Sequence, residues 1–232
     1  MVDGRSPGDG TAVLPRRPAG GWALAAYHAC DLVCWIAALN LLWVGFTLLG
    51  GVVLGAGPAT VAAHSLARRR LRGETFAALP AFWRTWRGEF WRANVLLLPA
   101  GALAAVLGLN WLYFRGAAGA AGAAGGGVVL VAATLVAAWY AVLVPLYVHY
   151  QLPLRSYPVV ASRFVLANPA AAALLLVVAA GIAAITAAVP GLLPFLSVGA
   201  WVHLDTALCL SFFHRNDERV AEHVTAEQRG SR

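Results

Sequence analysis

Two ionisable side chains, His203 and Asp205, stand inside the apolar run SVGAWVHLDTALCLSFF, and a third polar group, Asn40, interrupts the run AALNLLWVGF. A charge at the centre of a bilayer costs at least about 2.5 to 3.5 kcal/mol on insertion scales, so such groups turn toward a bundle interior or a wet cavity. In that setting Asp205 has the chemistry of a proton or cation carrier, or of a ligand for a polar substrate. The competing reading makes it a neutral or hydrogen-bonded packing group tied to Tyr140 or Asn40. Two residues on a helix span about 200°, so His203 and Asp205 point to nearly opposite faces and form no simple pair. Asp205, His203 and Asn40 are therefore the candidates for holding a substrate or ion.

No catalytic constellation accompanies them. There is no HExxH, and the run GAAGAAGAAGGG lacks the strand and lysine that a phosphate-binding loop requires, so it reads as a flexible low-complexity connector. His28, Cys30 and Cys34 have no fourth ligand nearby, and the three cysteines, with Cys209, read as small apolar thiols. Asp31 reads as a helix N-terminal residue that complements the helix dipole. Neither a metal nor a cofactor is expected.

The elements that position these groups are membrane spans. The chain has 232 residues, of which 60% are hydrophobic and 12% charged, and its mean hydropathy is +0.71. Soluble domains carry about 25% charged residues. A span needs about 20 apolar residues, and five segments qualify, near 32–56, 93–114, 128–149, 170–189 and 191–213. The expected fold class is all-α: a polytopic membrane helix bundle of about five transmembrane helices with a cytoplasmic interfacial helical segment. This domain covers 28–215, after a disordered Gly-, Pro- and Arg-rich tail at 1–27 and before a tail at 216–232.

Lysine is absent, and the net charge of +7 is carried by arginine. Most of it falls between the first two spans, after the third, and after the last, which are one side of a five-span arrangement. The positive-inside rule makes that side cytoplasmic, with the C-terminus, and puts the N-terminal tail opposite. Arg16 and Arg17 pull the other way. The surplus suits anionic lipid headgroups, so the bilayer is the expected partner and nucleic acid is not.

Between the first two spans, Gly57 and Pro58 predict the start of an interfacial helix over 58–72 that stops near Gly73. A second helix over 79–92 puts Leu79, Phe82, Trp83, Trp86 and Phe90 on one face. Arg68, Arg69, Arg70, Arg72, Trp83, Arg84, Trp86, Arg87, Trp91 and Arg92 are the expected contacts with headgroups or with a partner's cytoplasmic face.

The order of residues resembles the YesL family of bacterial integral membrane proteins, also known as domain of unknown function 624 (DUF624). The resemblance lies in Asp31-Leu32, Asn40-Leu-Leu-Trp43, Gly57-Pro-Ala-Thr60, Arg72-Gly-Glu74, FWRTWRGEFWRAN ending at Asn94, and LNWLYF from Leu109 to Phe114. It continues through Pro145-Leu146 and Asn168-Pro169. It implies a multi-pass protein of the bacterial inner membrane, often encoded beside carbohydrate-uptake transporters and sugar-utilisation genes. It supplies no catalytic residues. The expected role is non-catalytic, accessory to carbohydrate uptake or utilisation, with docking on an ABC-transporter permease. Two other readings stand beside it: a small transporter or channel using Asp205, and an intramembrane enzyme.

Overall fold

The computed structural model describes residues 21–230, and the side chains of 193 and 216–230 lie outside that description. The expected disordered tail falls mostly on residues 1–20, outside the described residues, while 21–27 are already helical. The order is α1 (Gly21–Leu49), α2 (Val53–Leu71), α3 (Ala78–Gly116), α4 (Gly119–His149), α5 (Ser156–Ala167), α6 (Pro169–Ala188) and α7 (Val198–Gly230), with one irregular turn over Pro190–Ser197. No strand occurs among the described residues. Among the described residues, five segments are long and apolar enough to cross a bilayer: α1, α3, α4, α6 and Pro194–Arg215. The chain is an all-α, multi-pass membrane protein.

Two compact units divide at Cys34 and Trp35. In the first, the described residues are the opening turns of α1, where the Tyr27 and His28 rings meet edge to face at 5.9 Å. Everything below concerns the second.

The segment expected to be interfacial is instead the inner helix. Along α2, Ala59, Ala62, Ala63, Leu66 and Ala67 are fully enclosed. A helix covered by protein needs small side chains for close approach more than it needs high hydrophobicity. It begins at Val53 and not at Pro58, so 50–56, expected to end the first span, are a turn and the start of the return. Gly51 and Val52 both have positive φ, 75° and 61°, a conformation that is strained for a β-branched residue. The return is antiparallel. A Cβ on Gly55 would overlap the Thr47 backbone, Trp43 reaches Thr60, and Arg70 lies 4.7 Å over the Trp35 ring.

Pro58 inside α2 leaves the Leu54 carbonyl without its helical donor. The Asn94 side chain supplies one, with Nδ2 at 2.9 Å from Leu54 O and 2.8 Å from Phe90 O. Two residues singled out by the sequence, Pro58 and Asn94, are thus one device that fastens α2 to α3.

The expected interfacial helix 79–92 and span 93–114 are one unbroken helix, α3, because nothing between Arg92 and Val95 breaks it. Its aromatic face packs inward. Phe82 is fully buried and Trp86 is 8% exposed, against Phe46 at 4.8 and 5.7 Å. The Gly/Ala run is not a connector but the opening turns of α4. A Cβ on Gly125 would overlap the Phe114 ring, so the glycines admit the aromatic end of α3. α5, not foreseen, covers the end of α4 through buried Tyr157 and Ala161.

Candidate functional site

Three helices running in one sense, α2, α4 and α7, close around a chain of polar side chains. Asp205 and His64 are 1% and 2% exposed, and His64 Nε2 lies 3.1 Å from Asp205 Oδ2. The other ring nitrogen, Nδ1, is 2.9 Å from the Thr60 carbonyl one turn earlier. A carbonyl can only accept, so Nδ1 carries a proton. The contact between Nε2 and Oδ2 then holds one proton, on the acid or on the ring. In either state the pair is neutral as a whole, which is how a carboxylate is tolerated in hydrocarbon.

The network continues on both sides. Thr60 Oγ1 donates to Ala56 O at 2.7 Å and accepts from Trp43 Nε1 at 3.0 Å. On the other side, Cys209 Sγ sits 3.9 Å from both Asp205 Oδ1 and Ala141 O. Pro145 denies that Ala141 carbonyl its helical donor, and the thiol points at the vacancy. One turn beyond His64, Arg68 Nη1 donates to Val148 O at 2.7 Å, a carbonyl in the last turn of α4, where such groups lack intrahelical partners.

The space beside this pair, bounded by His64, Arg68, Pro145 and Phe213, is about 10 Å³. That is about room for one water, while small-molecule pockets run to about 300 Å³ or more. The arrangement can share a proton but does not enclose a substrate.

The three predicted site residues are thus in three places. Asp205 is bound to His64, not to Tyr140 or Asn40. Asn40 is fully buried at the start of the last helix, its Nδ2 donating to Pro194 O at 2.6 Å and its Oδ1 accepting from Gly199 N at 2.9 Å. A Cβ on Gly199 would overlap Ile36 O and crowd Asn40, so the glycine permits this clamp. His203 faces away from Asp205, as its spacing requires, and its Nδ1 is enclosed without a hydrogen bond. Sequence reasoning missed His64 as the partner of Asp205.

Of the expected interface residues, Trp86 is buried and cannot touch lipid or a partner. Arg69 is tied to Glu74 at 2.8 Å and lies 4.4 Å over Phe76. Arg68 is occupied by Val148. Arg72, Trp83, Arg84, Arg87, Trp91 and Arg92 are exposed.

A family profile described as "Protein of unknown function, DUF624" matches residues 36–111, which hold Asn40, Trp43, Thr60 and His64 but not Asp205. The chain is similar to the uncharacterized protein YesV of Bacillus subtilis (strain 168), 36% identical over 172 residues, which are 74% of this chain and 83% of that protein. YteU from the same organism is 40% identical over 81 residues, 34% of this chain and 35% of YteU. YesL, also uncharacterized, is 44% identical over 71 residues, 30% of this chain and 34% of YesL. No solved structure matches the chain.

Proposed function

We infer that this chain, which belongs to the DUF624 family, is a non-catalytic integral membrane protein accessory to carbohydrate uptake or utilisation, docking on an ABC-transporter permease. It sits in the bacterial inner membrane with its arginine-bearing end and C-terminus in the cytoplasm. One observation supports the reading most: the buried carboxyl group of Asp205 is closed on His64, while Arg84, Arg87, Trp83 and Trp91 remain exposed at one end. Charge and aromatic area are thus available for a headgroup layer or a partner, and not for chemistry within the bundle. The family resemblance supplies the carbohydrate context.

The antiparallel return of α2 along α1 brings Arg70 beside Trp35, at the opposite end of that hairpin from Gly50.

Affinity purification from native membranes tests the docking. The parent chain is expected to recover a permease subunit, and the combined Arg84→Ala, Arg87→Ala and Trp91→Ala variant to lose it; absence of any transporter subunit from the parent overturns the reading. A second reading, a small transporter using Asp205, draws on the shared proton between His64 and Asp205. In proteoliposomes it requires proton or solute flux that Asp205→Asn abolishes.

A further inference from the structure

Another pairing of opposite charges lies outside the buried network, and it closes only loosely. Glu89 and Arg92 are one turn apart on α3, where such a pair ordinarily closes. Here Glu89 Oε1 and Arg92 Nη1 stand 3.9 Å apart, with side-chain exposures of 30% and 55%. The other carboxylate oxygen, Oε2, accepts from the hydroxyl of Tyr147 on α4. Both charged heads therefore face a cleft of about 480 Å³ between α2, α3 and the end of α4. Ser65 contributes a hydroxyl from α2, and Tyr157, packed 4.9 Å from Tyr147 and itself donating to Tyr150 O, forms an aromatic wall.

The cleft opens at the level where α4 ends, at His149, and one turn from Arg68. A helix of 31 residues outruns the roughly 20 needed to cross hydrocarbon, so its end reaches the headgroup level. A ligand that suits it carries a cationic donor for Glu89 and the tyrosine rings, and an anion for Arg92, a few ångströms apart. An anionic headgroup satisfies only Arg92. A neutral one satisfies neither.

We propose that this cleft binds a phosphate–ammonium zwitterion, the phosphoethanolamine group, taken from a phospholipid of the surrounding leaflet or from solution. Glu89 receives the ammonium, Arg92 the phosphate, and Tyr147 positions Glu89. The site is independent of the His64–Asp205 pair and of any docking partner.

The test uses the full chain in nanodiscs of phosphatidylethanolamine and phosphatidylglycerol in equal parts, with retained lipid counted by mass spectrometry after extraction. Phosphatidylethanolamine is expected to be enriched. Glu89→Gln and Arg92→Gln are each expected to reduce that enrichment about tenfold, the lower range for a charge-assisted hydrogen bond. Ser65→Val, which narrows the cleft without altering charge, should also reduce it and serves if either charge variant misfolds. Binding of soluble phosphoethanolamine by lipid-free protein in detergent identifies the solution source; retention of the lipid without such binding identifies the leaflet. Equal retention of both lipids by the parent together with no binding of soluble phosphoethanolamine, or lipid enrichment or soluble binding undiminished in the three variants, overturns the proposal.

Discussion

Two of the acid–base pairs among the described residues are put to opposite ends. His64 and Asp205 come from helices 141 residues apart and meet at 3.1 Å with almost no exposure. Glu89 and Arg92 are neighbours on one helix, yet stay 3.9 Å apart and partly exposed. Proximity in sequence does not decide which pair closes. The remaining hydrogen bonds of the partners differ: Thr60 O holds the far side of the His64 ring, while Tyr147 engages Glu89 Oε2 and leaves Oε1 in loose contact with Arg92.

The largest expected effect breaks the closed pair from one side. Asp205→Leu leaves His64 Nε2 buried beside hydrocarbon and should cost about 3 to 5 kcal/mol in unfolding. The double variant His64→Leu, Asp205→Leu should cost much less than the sum, because no polar group is stranded; a double-mutant cycle in detergent unfolding measures this. Asn40→Leu strands the Pro194 carbonyl and the Gly199 amide and should cost about 1 to 3 kcal/mol by the same measurement. Thr60→Val removes the acceptor of Trp43 while keeping the carbonyl that orients His64, so about 1 kcal/mol is expected. Glu89→Gln should leave unfolding within about 0.5 kcal/mol of the parent, as for other partly exposed groups. A Glu89→Gln cost as large as that of Asp205→Leu would erase the distinction between the pairs.

The long apolar helices were legible because hydrocarbon imposes a length and a composition that survive in the sequence. α6 was expected over 170–189 and is found at Pro169–Ala188. The buried α2 was not legible as a core helix, since its alanines and its arginine-rich end have the composition of an interfacial segment. Periodicity found the face holding Phe82 and Trp86 but could not say what covers it: lipid and the side of Phe46 are equally apolar. The bond between Asn94 and Leu54 was foreshadowed by Pro58, which always frees a carbonyl, though not by which residue would answer. Asp205 was recognisable as out of place. Its partner was not, because nothing local links residue 205 to residue 64.

The location of that partner has a consequence for biogenesis. Of the five apolar segments, Pro194–Arg215 has the lowest mean hydropathy, 1.4 against 2.0 to 2.4 for the others, and it is translated last. Its carboxyl group enters a bilayer in which the histidine is already in place on α2. A chain that stops after α6 keeps His64 with its Nε2 unanswered and leaves Asn40 without the backbone it clamps. The least apolar of these segments is thus the one whose polar groups are answered from α1 and α2, so its place in the bundle rests on His64 and Asn40 as much as on hydrophobicity.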